Sequence, residues 1–135
     1  MADMSALIET VIVASPLARR LGIRLLACAE DRLDLALPFS ADNVTVGNTV
    51  HGGAIASLID IVGAGLSCLV ADPARHKGGA TATLAVNYLR PALGIDLTGQ
   101  GAILRAGRDS LVSEVAVLAP DGRLIAKGTV NSRLY

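Results

Sequence analysis

The stretch HGGAIASLIDIVGAGLSCLVA, residues 51–71, decides the fold. It is the longest apolar run in the chain, no proline interrupts it, and between Gly52 and Ala71 its only charged residue is Asp60. It therefore reads as one long helix. About 20 apolar residues are also enough to cross a bilayer. An Asp at the centre of such a span, however, costs about 2.5–3.5 kcal/mol, and the rest of the chain alternates as strands do. A helix apolar nearly all round must be covered on most sides, so the expected partner of this one is a sheet.

The flanking sequence supplies that sheet. Ser5 is placed to cap a short amphipathic helix over ALIETVIVA, residues 6–14, which Ser15-Pro16 interrupts before LARRLG. IRLLACA and RLDLALPF, on either side of Glu30-Asp31, read as a hairpin, with Leu33, Leu35 and Leu37 alternating in its second arm. SADNVTVGNTV, residues 40–50, is rich in turn formers and reads as the loop into the long helix. After DPARHKGG come four strand-like segments, residues 81–91, 95–107, 110–119 and 123–135, with Pro120-Asp121-Gly122 as a tight turn between the last two. Short links make these four strands antiparallel neighbours. The expectation is an α+β fold, an antiparallel sheet wrapped around one central hydrophobic helix, as a single domain over residues 1–135.

Composition narrows the partners. At 135 residues and 52% hydrophobic content the chain can bury an ordinary core. Twelve basic and twelve acidic residues without runs give no field for nucleic acid or an anionic membrane. Cys28 and Cys68 have neither metal-ligand nor CxxC spacing, and read as buried free thiols in a reducing compartment, hence the cytoplasm. Asp3 and Glu9 stand where an export signal would carry its basic end. His51 and His76 form no ligand cluster with the cysteines, and His76 in ARHK is expected to be exposed, so no metal is implied.

The charge in the apolar helix needs a reason. On a 3.6-residue period the neighbours of Asp60 are Ala56, Ser57, Gly63, Ala64 and Ser67, all small, so a shallow groove runs along an otherwise bulky cylinder. Desolvation there disfavours the charged form unless donors surround it, which is how a general base or nucleophile is poised; an Asp that pairs across a helix contact is the alternative. At the helix start, His51-Gly52-Gly53, unpaired N–H groups and the absence of Cβ atoms make a natural oxyanion hole. The plainer alternative is a tight turn with His51 as cap. Gly52 and Asp60 are eight residues apart, about 12 Å along one helix, so they cannot touch the same carbonyl. Joint action requires two chains with these helices antiparallel across a two-fold axis.

The pattern HGG, then Ala-Ile and Leu-Ile-Asp, with LGIRL before it and NYLRPA after it, resembles the hotdog-fold acyl-CoA thioesterases of the PaaI, phenylacetate-pathway type, from Leu17 through Thr129. The resemblance implies a sheet wrapped around a helix, dimers that pair into homotetramers, and a site shared between subunits. It makes Asp60 the general base or nucleophile of thioester hydrolysis, and it has Gly52 offer its N–H to the thioester oxygen while His51 holds the loop. Thr81 would orient the attacking water. Arg90 and Arg108, with Gly53, would meet coenzyme A, which belongs to the acyl-CoA substrate, so no separate cofactor is implied. The family's Asn six residues before the histidine and Gly three before it are here Thr45 and Asn48, with Asn43 and Gly47 out of register. Either Asn48 or Asn43 reaches the carbonyl, or that polar helper is missing.

Two other functions fit a hotdog fold. A hydratase or dehydratase is disfavoured, because the His-Phe-Pro-Gly loop and the Asp-Asn-Pro motif are absent. A non-catalytic acyl-CoA binding or assembly protein would make Asp60 an interface residue. With Phe39, Tyr88 and Tyr135 the only aromatics, the sequence leaves aryl and aliphatic acyl groups both open.

Overall fold

The computed structural model describes residues 3–135; Met1 and Ala2, the start of the N-terminal stretch, lie outside them. A first helix, α1, runs Met4–Val13 and widens to π winding over Ile8–Val13. Its cap is Asp3, whose side chain accepts from the Ser5 N–H at 3.0 Å, so the expected Ser5 cap moves back two residues. Ser15 and Pro16 break the chain into α2, Pro16–Leu21, which ends at Gly22 in the left-handed region. The hairpin follows as β1, Arg24–Ala29, and β2, Arg32–Leu37. The long apolar run is α3, Gly52–Val70. Four strands complete the chain: β3, Gly79–Tyr88; β4, Leu97–Ala106; β5, Ser110–Leu118; and β6, Leu124–Leu134.

All six strands form one antiparallel sheet in the order β1-β2-β4-β5-β6-β3. The last four strands are therefore not all sequential neighbours: β4, β5 and β6 are, but β3 pairs with β6 and occupies the far edge. The cause is the link over residues 89–96. It is too long for a hairpin and is tied to the loop ahead of α3 by Val50 N–H to Ala92 O at 2.9 Å and Gly94 N–H to Asn48 O at 2.9 Å. The chain thus crosses over the start of α3 and enters β4 beside β2. The Pro120–Gly122 turn joins β5 and β6 as expected, with the Gly122 N–H donating to Ala119 O.

The sheet curves around α3, which packs against β2, β3, β4, β5 and β6. Leu58, Ile59, Val62 and Leu66 are fully buried between it and Leu33, Leu35, Leu97, Val115, Val117 and Val130. The apolar circumference that could have met lipid meets the sheet instead. Glycines set how close it comes. A Cβ on Gly63 would lie 2.6 Å from Val130 Cγ1, one on Gly128 2.7 Å from Ile59 Cγ2, and one on Gly101 would run into Val62 Cγ1. Gly63 therefore faces the sheet and leaves the groove beside Asp60. Ser67 leaves it too, buried with its hydroxyl donating to Gly63 O at 3.1 Å.

Gly101→Ala tests this close seating. Alanine in place of a strand glycine ordinarily stabilises by removing backbone freedom from the unfolded chain. Here the added methyl meets Val62, Leu66 and the Leu33 carbonyl, so a loss of about 1–3 kcal/mol from overpacking is expected. Urea unfolding of both proteins reads it; an unchanged or raised midpoint would mean that the helix can move away from the sheet without cost.

Candidate active site

Asp60 lies half-buried at the middle of α3, on the stripe Ala56, Asp60, Ala64, Cys68 that the sheet leaves uncovered. Its side chain has one donor: the Thr81 hydroxyl, near the start of β3, donates to Asp60 Oδ1 at 2.6 Å. Helix and edge strand are joined there through the carboxylate. Thr81 was expected to orient a water; in the structure it holds the carboxylate, fixing one oxygen and leaving the other without a donor among the described residues.

The start of α3 is organised by three contacts. His51 is its N-cap, and His51 Nδ1 accepts from the Gly53 N–H at 2.8 Å. That takes up the Gly53 donor within the turn. The Ala54 and Ile55 N–H groups both point to His51 O. The Tyr88 hydroxyl donates to Gly52 O at 2.7 Å, tying the end of β3 to the first helical residue. No described residue accepts from the Gly52 N–H, which leaves it the open donor of this helix terminus.

The polar helper is narrowed as well. Asn43 is turned inward: its Nδ2 is buried without a partner among the described residues, and its main-chain carbonyl accepts from the His51 N–H at 2.8 Å. Asn48 is exposed on the loop and packs against Gly94. Thr45, at the family's asparagine position, is exposed.

Arg90 and Arg108 do not come together in one chain. Arg90 follows Tyr88 at the helix-start end and donates to Leu124 O at 3.0 Å. Arg108 lies in the β4–β5 turn, beside the beginning of β3, a strand of about 30 Å at roughly 3.3 Å per residue. At that end His76 is not exposed as expected: its side chain is 5% exposed, with Nδ1 accepting from the Asp72 N–H and Nε2–H donating to Asp109 Oδ1 at 2.9 Å. The His76 hydrogen bond, with the Arg75 and Arg108 charges behind it and desolvation opposing, holds the Asp109 carboxyl below the usual range. These bonds pin the loop between α3 and β3 to the β4–β5 turn. Cys28 and Cys68 are free and half-buried, and burial pushes both thiols up, the Asp3 charge adding to the shift at Cys28.

A cavity of about 790 Å³ opens next to Thr81, between α1, the second half of α3 and the first residues of β3. Leu7, Val11, Ile12, Ala64, Cys68 and Leu134 make much of its wall. On the other side of Asp60 the edge strand is bare. Every residue of β3 except Val86 is exposed, Leu84 is 38% and Tyr88 52% exposed, and no strand among the described residues pairs with its outer edge.

The model of the Thioesterase superfamily matches residues 47–126, from the loop before α3 into β6. The chain belongs to that superfamily. The medium/long-chain acyl-CoA thioesterase YigI of Salmonella typhimurium is 33% identical over 140 residues, covering 90% of this chain and 86% of the relative. Among solved structures, a thioesterase family protein from Silicibacter pomeroyi superimposes with a TM-score of 0.89 at 20% identity, over 98% of each chain. The PaaI protein from the phenylacetic acid degradation operon of Escherichia coli gives 0.85 at 17% identity, over 98% of this chain and 93% of that one. The likeness to PaaI is one of fold, that to the thioesterases one of family as well, and the sheet around its helix is the hotdog arrangement.

Within this superfamily fold, sequence reasoning missed Tyr88 as a site residue. Thr81 and Tyr88 are seven apart, which on strict alternation puts them on opposite faces of β3. A register shift between Thr81 and Thr83 turns the strand by one residue, so both point toward α3.

Proposed function

We propose that this chain hydrolyses acyl-CoA thioesters at a site built by two copies of itself. The Gly52 N–H and helix start of one copy face Asp60 and Thr81 of the other. The observation that carries the reading is the pairing of one unoccupied helix N–H with one carboxylate on the same helix, about 12 Å apart, with the unpaired edge strand β3 bonded to that helix at both places, by Tyr88 at Gly52 and by Thr81 at Asp60. A two-fold axis beside β3 brings the two ends together and covers Leu84 and Tyr88.

The chemistry follows from these groups. The Gly52 N–H, at the positive end of a 19-residue helix, receives the thioester oxygen as it becomes an oxyanion. Asp60, one oxygen held by Thr81, uses the other to take a proton from water attacking the carbonyl, or attacks it directly to give a mixed anhydride that water then opens. The leaving group is the thiolate of coenzyme A, so the reaction needs no further cofactor. Arg90 of one copy and Arg108 of the other, at opposite ends within a chain, come to the same side of such a pair, where the CoA phosphates lie. The sequence relationship to YigI supports acyl-CoA as the substrate class.

Complementation tests the shared site. Asp60→Asn and Gly52→Pro proteins, each inactive as pure oligomers, are unfolded together, refolded at equal concentration and assayed for thiol release. A mixed pair holds one site with both groups intact, so about a quarter of wild-type activity returns if exchange is random. A site contained within one chain gives no recovery.

A further inference from the structure

We infer that the cavity between α1 and the second half of α3 is the acyl pocket of the proposed hydrolase, shaped for an unbranched aliphatic chain, and that Cys68 stands where chain length is limited. This rests on the hydrolase reading above. Thr81 belongs both to the cavity wall and to the Asp60 carboxylate, at 2.6 Å, so the pocket begins where the thioester would react. Its volume, about 790 Å³, lies in the range of small-ligand sites.

The wall decides between chain and ring. Few polar side chains line it: Ser67 donates to Gly63 O, and both ring nitrogens of His76 are taken by Asp72 and Asp109. Thr81 is committed to Asp60, and Lys77 is exposed. No aromatic side chain lines the cavity to stack on a ring, and the Ser67 and Thr81 hydroxyls already give their protons to Gly63 O and Asp60, so neither donates to a ring oxygen. What remains is Leu7, Val11 and Ile12 of α1 facing Ala64 and Cys68 of α3. Along α3 the stripe runs Asp60, Ala64, Cys68 in steps of four residues, so Cys68 is about 12 Å from Asp60. A zigzag chain with bonds of about 1.5 Å advances about 1.3 Å per carbon and so brings roughly its ninth or tenth carbon to Cys68. The substrate class is a medium-chain acyl thioester near decanoyl.

Two measurements test this and separate it from the hydrolase reading. The first is kcat/KM over acetyl-, butyryl-, hexanoyl-, octanoyl-, decanoyl-, palmitoyl- and benzoyl-CoA. A rise of up to about fourfold per CH₂ is expected, levelling near decanoyl, with benzoyl-CoA in the range of the short chains. In Cys68→Phe the decanoyl-to-butyryl ratio falls at least tenfold, and Cys68→Met, a smaller change, moves it the same way. The second needs neither turnover nor a variant: alkylation of the wild-type thiols at alkaline pH, where thiolate forms, read by peptide mass spectrometry. A non-hydrolysable decanoyl thioether of CoA slows Cys68 alkylation at least fivefold and leaves Cys28, which does not line the cavity, as the internal control. Hydrolysis without protection of Cys68, or with benzoyl-CoA preferred, overturns the pocket and leaves the hydrolase. Protection without hydrolysis of any thioester keeps the pocket and overturns the hydrolase. Neither signal overturns both.

Discussion

Asp60→Asn is expected to lower kcat/KM for acyl-CoA hydrolysis by about 10²–10⁴-fold, the span of a lost general base, while leaving the fold and acyl-CoA affinity in place. The reasoning is geometric. Asparagine has the shape of aspartate, and its carbonyl oxygen can still accept the Thr81 hydroxyl that holds Oδ1. What it loses is the second oxygen as proton acceptor or nucleophile, the function that no other group near Thr81 is placed to replace. Thiol release and the unfolding midpoint, measured on the same preparation, separate chemistry from stability. A variant that retains activity within threefold would remove Asp60 from the reaction and assign the hydrolysis to another group, whereas a wild type that releases no thiol from any acyl-CoA would favour the binding or assembly role.

The second large effect belongs to a backbone donor. Gly52→Pro deletes only the N–H that no described residue accepts, at the first helical position, where proline is favoured and its missing donor costs the helix nothing. His51 before it sits at φ −61°, ψ 133°, the extended region that a following proline requires. The new Cβ lies 3.4 Å from the Tyr88 ring, an ordinary contact. Loss of one oxyanion donor is worth about 10²–10³ in kcat, and that fall is expected with little change in KM or unfolding midpoint. Gly52→Ala is the matched control, since it adds the same Cβ and keeps the N–H, so its kcat stays within a few-fold of wild type. Equal losses in both variants would assign the effect to crowding of Tyr88 and withdraw the oxyanion role.

Much of this was legible in the sequence for identifiable reasons. The run from Gly52 to Val70 is apolar beyond what any surface helix carries, so a wrapped helix was the only soluble solution, and the alternating Leu33, Leu35 and Leu37 gave away the strand facing it. Asp60 stood out as the lone charge. What could not be read was set by distant contacts. The place of β3 at the sheet edge depends on how residues 89–96 pair with the loop before α3, and no local propensity encodes that. Tyr88 was hidden by a bulge that reverses strand parity, and His76 by a charged neighbourhood whose members turned out to bind it. Gly63 looked like groove lining because small residues serve equally well beside a ligand and under a sheet; only the position of Val130 distinguishes the two.

The glycine-seated packing of α3 also separates what can be varied from what cannot. On the sheet side, Gly63, Gly99, Gly101 and Gly128 leave backbone and side chain in direct contact, with no flexible padding to absorb an added methyl group. On the opposite side, Ala56, Ala64 and Cys68 border open space. Mutational tolerance should therefore be split lengthwise along a single helix. A library restricted to the outer stripe could search for new acyl preferences on a frame whose stability it hardly touches, whereas a library on the inner stripe would return mostly unfolded chains.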